Sequence, residues 1–400
     1  MGVDLLLRSQ MPALAGKTYF NYGGQGPLPT PALEAMVASW RTIQELGPFT
    51  TDVWPFIEAE TAQVRSALAL LCGVGSHRLA LTENVTSGCV LPLWGLPWQS
   101  GDALLISDCE HPGVVAACSE LARRHGLSVA TLPLLQLCLT TPQHHLPQAV
   151  LEALERGLSP RTRLVVLSHL LWNTGSVMPI GSVASRLQQH PRQPWLLVDA
   201  AQSFGSIPVD QEAPQADIYA FTGHKWCCGP EGLGGVALSE RVLQQAQPTL
   251  IGWRSLRQES QASSSWHPDA RRFEVATSCV PLGSGLASAL ALLADAGTPA
   301  DRASRITASS AALWSGLQQI PAVQTMLPEP PPAGLVSFRL RTPARSTAAV
   351  VEALGRQGIW IRRLDAPDCL RACVHITTTE PELEALLAAL QRLSSEAGLG

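Results

Sequence analysis

Residues 221–232 read Phe-Thr-Gly-His-Lys-Trp-Cys-Cys-Gly-Pro-Glu-Gly, so they place Lys225 among glycines, small polar side chains and a Gly-Pro turn. The chain contains one other lysine, Lys17. Taken alone, such a lysine is most simply a surface residue of a glycine-rich loop. An apolar segment upstream, Trp195 to Asp199, ends in an acid. Because an acid ends an apolar segment and an isolated lysine follows it, Lys225 can also be interpreted as a reactive amine in a binding site.

This pairing of acid and amine is what pyridoxal phosphate chemistry requires. A lysine amine bonds covalently to the aldehyde of that cofactor, and a carboxylate pairs with its ring nitrogen so that the ring can accept electrons. Lys225 and Asp199 are the candidates for these roles. The glycines between 229 and 235 do not form a dinucleotide-binding motif, because the strand-to-helix context is wrong, and a phosphate-binding Walker lysine is missing.

Composition restricts the class of protein. A chain of 400 residues with 46% hydrophobic and 15% charged residues is long enough for two domains and a large core. The formal net charge is −4 and no basic run stands out, which argues against nucleic acid or an anionic membrane as the main partner. No apolar run approaches the roughly 18 residues of a membrane helix, and the N-terminus lacks a signal-type segment. We expect a soluble, cytoplasmic protein.

The ten cysteines are expected to be reduced thiols, because the chain is large and lacks an export signal. Neither Cys227 with Cys228 nor Cys369 with Cys373 has zinc-finger spacing, so no metal site is predicted. Four others lie among apolar neighbours and are predicted core residues: Cys72, Cys89, Cys118 and Cys138.

Strands and helices alternate through the first two thirds of the chain. The predicted strands are 78–82, 103–107, 129–134, 164–168, 195–198, 218–221 and 233–238. Strands that are almost continuously apolar and separated by helices are typical of a doubly wound, mostly parallel α/β sheet with both faces covered. Such sheets bind ligands beyond the carboxyl ends of their strands. Thr86, His111, Asn173 and Asp199 all follow predicted strand ends.

Two turn segments have alternative interpretations. Residues 83–88, Glu-Asn-Val-Thr-Ser-Gly, join a strand to a helix start, and this arrangement suits a phosphate because free N–H groups and the helix dipole both favour an anion. On the residues alone, the same segment is more typical of a simply capped helix start. The glycine-rich residues 18–29 are either an ordinary turn or the rim of a pocket.

The pattern changes after residue 254. A polar loop at 255–270 is predicted to be mobile, and it is followed by helices at about 283–296 and 301–319. Predicted strands at 334–341, about 359–363 and 372–376 precede a closing helix from about 380. We therefore predict a large cofactor-binding domain at 19–257 and a smaller α+β domain made of 1–18 and 258–400.

Several motifs together identify a resemblance. They are FNYGGQGPLPT at 20–30, ENVTSGC at 83–89, DCEHPG at 108–113, LSHLLWNTGSV at 167–177, VDAAQS at 198–203, FTGHKW at 221–226, GWRS at 252–255, RFEVATS at 272–278 and PDCLRACVHI at 367–376. The chain resembles fold-type I pyridoxal phosphate enzymes of the class V aminotransferase group, the cysteine desulfurase-like family. Within that family it is most similar to the cystine C-S lyases of cyanobacteria.

The resemblance implies a role for each matching cofactor residue. Lys225 would bond to the cofactor, Asp199 would pair with its ring nitrogen, Gln202 would hydrogen-bond its phenolic oxygen and His111 would stack on its ring. On its own, a histidine beside a proline at a strand end is usually exposed or a helix cap. The phosphate would be held by Thr86, Ser87, Thr222 and His224.

The family also implies a homodimer and a substrate site. Thr277 would reach the phosphate site of the partner subunit. Asn173 and Arg371 would hold the substrate carboxylate, with Arg371 as a bidentate fork. Arg362 and Trp253 would complete substrate binding. Either arginine alone would by default be a solvated surface residue.

The type of reaction depends on the cysteines. Desulfurases use a nucleophilic cysteine on a flexible loop well before the carboxylate-binding arginine, and the corresponding residue here is Arg356. Cys369 lies too close to Arg371 for that role. The sequence therefore favours β-elimination on L-cystine, cysteine or cysteine S-conjugates, giving cysteine persulfide, sulfide or a thiol, with pyruvate and ammonia. A cysteine desulfurase, another aminotransferase or epimerase of the group, and a non-catalytic sulfur-transfer scaffold are the alternatives.

Overall fold

The computed structural model describes residues 3–258, 265–341 and 346–396. The helices are α1 Val3–Ser9, α2 Thr30–Leu46, α3 Val53–Leu71, α4 Val85–Trp94, α5 Pro112–His125, α6 Leu135–Thr140, α7 Leu146–Gly157, α8 Ile180–Gln188, α9 Glu240–Gln245, α10 Pro281–Asp295, α11 Pro299–Gln318, α12 Thr347–Gly355 and α13 Glu380–Glu396. The strands are β1 Thr18–Tyr19, β2 Leu79–Thr82, β3 Ala103–Ser107, β4 Ser128–Leu132, β5 Thr162–Ser168, β6 Trp195–Asp199, β7 Ile218–Thr222, β8 Gly234–Leu238, β9 Val323–Thr325, β10 Leu335–Leu340, β11 Ile359–Trp360, β12 Arg362–Asp365 and β13 Asp368–Cys373.

Seven strands form the large sheet, in the order β2-β8-β7-β6-β5-β3-β4. Strand β8 is antiparallel to both neighbours, and the other pairings are parallel. Alternate residues of β6 enter two different apolar clusters, Trp195 and Leu197 on one face and Leu196 and Val198 on the other. Both faces are therefore covered, and the predicted doubly wound α/β fold is confirmed.

A four-stranded antiparallel sheet, β12-β13-β10-β9, lies in the C-terminal part of the chain. One of its faces carries Phe338 and Leu370 into a core shared with α11, α12 and α13. The short strand β1 pairs with β11, and Asn21 bridges to Cys373, so the segment after α1 is attached to this C-terminal part. The domain division at residues 18/19 and 257/258 stays a prediction.

Some elements differ from the sequence prediction. The last strand ends at Cys373, whereas the apolar pattern predicted a strand to residue 376, because His375 turns inward and is buried against Tyr22. The short elements α6, α9, α12 and β9 were not predicted. In the predicted mobile loop at 255–270, residues 259–264 lie outside the described residues, while Leu256 forms an isolated bridge with Trp266.

All ten cysteines are free thiols, and nine of them, including the four predicted core cysteines, are buried. Only Cys279 is exposed. Within the described ranges, no group of three or more metal-ligating side chains converges. Nor does any helix in those ranges have the length and apolar character that a membrane crossing requires. The cytoplasmic location stays a prediction.

Candidate active site

The candidate site lies at the carboxyl edge of the large sheet. Asp199 is the last residue of β6 and pairs with Ala220 of β7, while Ser168, the last residue of β5, pairs with Asp199. Thr222 ends β7 at the same edge and is in register with Gly234, which pairs in turn with Thr82 at the end of β2. The strands thus bring together residues that are far apart in sequence.

Lys225 follows β7 in a tight turn, in which the N–H of Cys228 donates to the Lys225 carbonyl over 3.0 Å. Burial lowers the pKa of the Lys225 amine to about 8, while the nearby carboxylate of Asp199 opposes this shift. The charges of Arg371 and Arg362 lower the pKa further. The amine therefore gives up its proton more readily than an exposed lysine does, which suits both covalent bond formation and proton abstraction.

Asp199 is buried, and burial raises the pKa of its carboxyl group. The N–H of Ala201, which donates to Asp199 Oδ1 over 2.8 Å, and the charges of Lys225 and His111 act in the opposite direction. A buried carboxyl group with one hydrogen bond from the protein has capacity for a further partner, and a protonated ring nitrogen is a suitable one.

His111 caps the start of α5, where Pro112 occupies the first turn. Its Nδ1 accepts from the N–H of Gly113 over 3.2 Å, so the proton of the neutral ring lies on Nε2. Burial lowers the pKa of His111, and Lys225 and Arg362 lower it further against the effect of Asp199. The imidazole makes an edge contact with Trp172 at a centroid distance of 5.8 Å. A neutral ring in this position can stack on a planar ligand.

The expected phosphate side is built from α4 and the end of β7. Asn84 caps α4 by accepting from the N–H of Ser87 over 2.9 Å, so Thr86 and Ser87 lie in the first turn of this helix. The Thr222 hydroxyl and His224 Nδ1 are 2.6 Å apart. Because the ends of β2 and β7 lie at one edge of the sheet, both pairs of residues flank the same region. Helix dipole and hydroxyl donors together suit an anion.

The opposite wall comes from the small sheet. Arg371 on β13 lies directly across from Arg362 on β12, although like charges in that position repel each other. Arg371 is 1% exposed; its Nη1 donates to the Trp172 carbonyl over 2.8 Å, and its Nε has no partner among the described residues. Neither arginine forms an ion pair within that part of the chain. The pair therefore constitutes a site for a carboxylate.

Two further features of this wall point to a ligand. A Cβ at Gly23 would lie 2.9 Å from Arg371 Nη2 and 2.9 Å from Gln202 Oε1, so only glycine leaves both groups in place. Asn173 is 2% exposed, and its Oδ1 is buried with no partner in the described ranges, while its side chain also contacts the Cys109 thiol. Buried polar atoms without a partner are rare in folded proteins, so this oxygen points to a ligand.

Gln202 is buried, and both ends of its amide are hydrogen-bonded. Its Nε2 donates to the Gly23 carbonyl over 2.9 Å, and its Oε1 accepts from the Trp226 indole N–H over 2.9 Å. The second N–H of Gln202 remains as a donor.

Trp253 and Thr277 contact each other, and Thr277 lines a cavity with Thr82 and Glu83, just before the start of α4. The Trp253 indole N–H donates to the Thr277 hydroxyl over 3.4 Å, and Trp54 packs edge-on against Trp253. No hydrogen bond or ring contact in the described ranges connects these residues with Lys225. Their assignment to the site stays a prediction.

Glu110 is a site residue that the sequence reasoning did not assign. It is buried and accepts from the Ser107 hydroxyl over 2.6 Å and from the N–H and hydroxyl of Ser168, both over 2.8 Å. Burial raises its pKa to about 7, and Asp199 adds to the shift. Its position, between a strand end and His111, was the available signal.

These groups fit pyridoxal phosphate on their own chemistry. An amine of lowered pKa, a buried carboxyl group, a neutral histidine ring and an anion-binding helix start match the aldehyde, ring nitrogen, ring face and phosphate of that molecule. The unpartnered Arg371 Nε and Asn173 Oδ1 leave polar capacity for an amino acid beside it.

Comparison with known proteins agrees with this arrangement. The model of the family described as aminotransferase class-V matches residues 54–388. An isopenicillin N epimerase of Streptomyces clavuligerus is 29% identical over 94% of this chain and 94% of its own length. A probable cysteine desulfurase of Pseudomonas aeruginosa is 30% identical, over 83% of this chain and 82% of its own.

Solved structures extend the comparison. C-DES, a cystine C-S lyase in complex with its reaction product cysteine persulfide, is 42% identical with a TM-score of 0.90, covering 96% of this chain and 99% of its own. A mutant C-DES holds glycine covalently linked to its PLP cofactor. The cysteine desulfurase CsdA of Escherichia coli, 21% identical over 97% of this chain and 98% of its own, shares the fold at a TM-score of 0.81. Since the family model matches most of its length, this chain belongs to the aminotransferase class-V family, whose members are pyridoxal-phosphate-dependent enzymes.

Proposed function

We propose that this enzyme is a carbon-sulfur lyase that carries out β-elimination on L-cystine and yields cysteine persulfide, pyruvate and ammonia. The observation that carries the proposal is the pair of opposed arginines, Arg362 and Arg371, without an acidic partner among the described residues. Cystine has a carboxylate at each end, so it provides one for each arginine. The 42% identity to a cystine C-S lyase supports the same substrate.

The positions of the thiols support elimination over desulfuration. Cys369 lies within β13, pairs with Leu364 and is completely buried, and burial raises its pKa to about 11. A thiol in a paired strand cannot move towards a substrate, and at neutral pH it is not a thiolate. Elimination requires no protein thiol at all.

Substrate binding is proposed to begin at the arginine wall. Arg371, held by the Trp172 carbonyl, takes the carboxylate beside the reacting carbon, and its free Nε with an Nη group provides the bidentate fork. Asn173 lies on the adjoining loop and adds an amide hydrogen bond. Arg362, which is exposed, takes the distal carboxylate at the mouth of the site.

Lys225 is proposed as the base that removes the proton at Cα. Pyridoxal phosphate, when bound, supplies the electron sink for the electron pair left at that carbon. The Cα–H bond breaks with transfer of the proton to Lys225 Nζ, and the Cβ–S bond breaks with departure of cysteine persulfide as the anion. The remaining 2-aminoacrylate takes up water to give pyruvate and ammonium. A persulfide is a weaker base than hydrosulfide, so it is the better leaving group.

The enzyme is proposed to work as a homodimer. Trp253 is 38% exposed and Phe49 is 84% exposed, and both make edge contacts with Trp54, so an aromatic surface leads to Thr277. An exposed surface of this kind marks a protein contact. Thr277 and Trp253 would then act in the site of the partner subunit, which fits the lack of a described contact between them and Lys225.

Product analysis tests the proposal. Purified enzyme is incubated with L-cystine, L-cysteine and S-methyl-L-cysteine, and pyruvate, alanine and sulfane sulfur are measured. We expect pyruvate and sulfane sulfur in equal amounts from cystine. Alanine in place of pyruvate would indicate a desulfurase, product that depends on an added keto acid would indicate an aminotransferase, and inversion at Cα without pyruvate would indicate an epimerase.

A further inference from the structure

Five hydrogen bonds connect Tyr22 to the adjacent Gly23 through three distant parts of the chain. They run from Tyr22 Oη to Thr377 Oγ1 at 2.6 Å, from Thr377 Oγ1 to His375 Nδ1 at 3.0 Å, from His375 Nε2 to the Trp226 carbonyl at 3.3 Å, from Trp226 Nε1 to Gln202 Oε1 at 2.9 Å and from Gln202 Nε2 to the Gly23 carbonyl at 2.9 Å. We call these six residues the Tyr22–Gly23 ring. Each side chain in it belongs to a buried residue.

The chemistry of the groups permits one direction of donation. An indole N–H can only donate and a carbonyl oxygen can only accept, so Gln202 must present its oxygen to Trp226 and its NH₂ group to Gly23. A flipped amide would place NH₂ against the indole N–H and oxygen against the Gly23 carbonyl. Both hydrogen bonds would be lost in a buried place, which is costly.

His375 adds a second constraint. Burial lowers its pKa to about 3, so the ring is neutral at physiological pH and carries one proton. Because Nε2 faces the Trp226 carbonyl, that proton lies on Nε2, and Nδ1 accepts from the Thr377 hydroxyl. Thr377 in turn accepts from the Tyr22 hydroxyl, so each of the five hydrogen bonds has one donor and one acceptor, and one N–H of Gln202 is left over.

Packing holds the indole ring in place. Trp226 is 0% exposed, and a Cβ at Gly334 would lie 2.8 Å from its Cη2, so the chain leaves room there only for glycine. Tyr22 stacks on His375 at a centroid distance of 4.4 Å and an angle of 12°, and Trp226 lies 6.4 Å from Tyr22. The indole therefore has no freedom to turn away from Gln202.

We propose that Trp226 is a positioning residue that sets the amide orientation of Gln202, so that the remaining N–H of Gln202 faces the ring oxygen of the cofactor. The same residue anchors the neighbouring Lys225, because His375 holds the backbone carbonyl of Trp226. This inference rests on the proposed cofactor role of Gln202, but it does not depend on cystine as the substrate.

The test is a double-mutant cycle between Trp226→Phe and Gln202→Leu in the holoenzyme. Trp195→Phe is the matched control, because Trp195 is 1% exposed and its indole N–H has no partner among the described residues. Three quantities are measured: the pH at which the absorption band of the bound cofactor titrates, kcat with cystine and KM with cystine.

We expect Trp226→Phe and Gln202→Leu each to shift the titration midpoint in the same direction and to lower kcat about tenfold, with little change in KM. In the double variant the two effects should not add. Trp195→Phe should leave the midpoint unchanged. If Trp226→Phe behaves like Trp195→Phe, or if the two losses multiply, the inference is wrong.

Tyr22→Phe extends the test if Trp226→Phe does not fold, because it removes a single oxygen at the far end of the ring. It should shift the midpoint in the direction seen for Gln202→Leu, by a smaller amount, and an unchanged midpoint would contradict the inference. The spectral readout separates this inference from the lyase proposal. Non-additive spectral shifts without pyruvate from cystine would overturn the lyase proposal alone. Pyruvate with additive spectral shifts would overturn the positioning role of Trp226 alone.

Discussion

The two walls of the site hold their charges in different ways. On the large sheet, Lys225 and Asp199 have opposite charges, lie near each other and are shifted by burial towards their neutral forms. On the small sheet, Arg362 and Arg371 have like charges, face each other and have no acidic partner in the described part of the chain. We call the large-sheet side, with Lys225 and Asp199, the balanced wall, and its groups can carry out chemistry common to many amino acids. The small-sheet side, with Arg362 and Arg371, is the unbalanced wall; it has capacity for an anion, and we propose that it selects which amino acid binds.

The largest expected effect comes from removing the amine of the balanced wall. Lys225→Ala should lower pyruvate formation from cystine by at least about a thousandfold, since both the covalent anchor and the base are lost. Lys17→Ala is the control, because Lys17 is exposed and is the only other lysine. Pyruvate assays on both variants check this, and comparable losses would contradict the assignment.

The next effect comes from the buried arginine of the unbalanced wall. Arg371→Lys keeps the charge but loses the bidentate fork, so kcat/KM should fall about a hundredfold. Because Arg371 is assigned to the carboxylate beside the reacting carbon, the loss should be equal for cystine and for S-methyl-L-cysteine. Steady-state kinetics with both substrates measure the loss. A loss confined to cystine would indicate that Arg371, and not Arg362, binds the distal carboxylate.

Arg362→Ala should have a smaller and more selective effect. Because Arg362 is assigned to the distal carboxylate, kcat/KM for cystine should fall about tenfold, while S-methyl-L-cysteine, which has no such group, should react as before. Arg363→Ala is a matched control, since Arg363 is the next residue on β12 and is paired with Asp365 and Asp368. Equal losses with both substrates would remove the evidence for two carboxylate sites.

Sequence reasoning predicted the α/β order and the residues of the balanced wall, because strand ends and the Lys225 segment are local patterns. It did not predict the Tyr22–Gly23 ring, since the side chains of Tyr22 and Thr377 meet only after β1 pairs with β11 and Asn21 bridges to Cys373. It also did not predict that Arg362 and Arg371 face each other without an acidic partner in the described part of the chain, because the pairing register of β12 and β13 cannot be read from either strand alone. The roles of Trp253 and Thr277 stay predictions, because a single subunit does not show what they contact in a dimer.

The pH dependence of protein stability tests the surroundings of Glu110, a buried acid whose pKa is raised by burial and further by Asp199. Its pKa is raised from 4.5 to about 7 in the folded protein, so its stabilising contribution is complete below pH 4.5 and is lost as the pH rises through about 7. In cofactor-free protein, Glu110→Gln should match the wild type at pH 4.5. At pH 8 it should be more stable by up to about 3 kcal/mol. Urea unfolding at both pH values measures this, and an equal difference at the two would contradict the pKa shift.

The smallest expected effect concerns the exposed thiol. Cys279→Ser should leave the rate of pyruvate formation unchanged, because elimination requires no protein nucleophile. Cys369→Ser, in the buried strand β13, should likewise retain activity in whatever fraction folds. Rates are compared per mole of bound cofactor. A loss of sulfane sulfur with Cys279→Ser would restore the desulfurase interpretation.

The central claim is that the cofactor is bonded to Lys225 opposite Asp199, and the scarcity of lysine makes a direct test possible. Holoenzyme is reduced with borohydride, digested and examined by mass spectrometry for a pyridoxyl phosphate group on a lysine. The account predicts the group on the peptide that contains Lys225 and none on the peptide that contains Lys17. A label on Lys17, or on neither lysine, would contradict it.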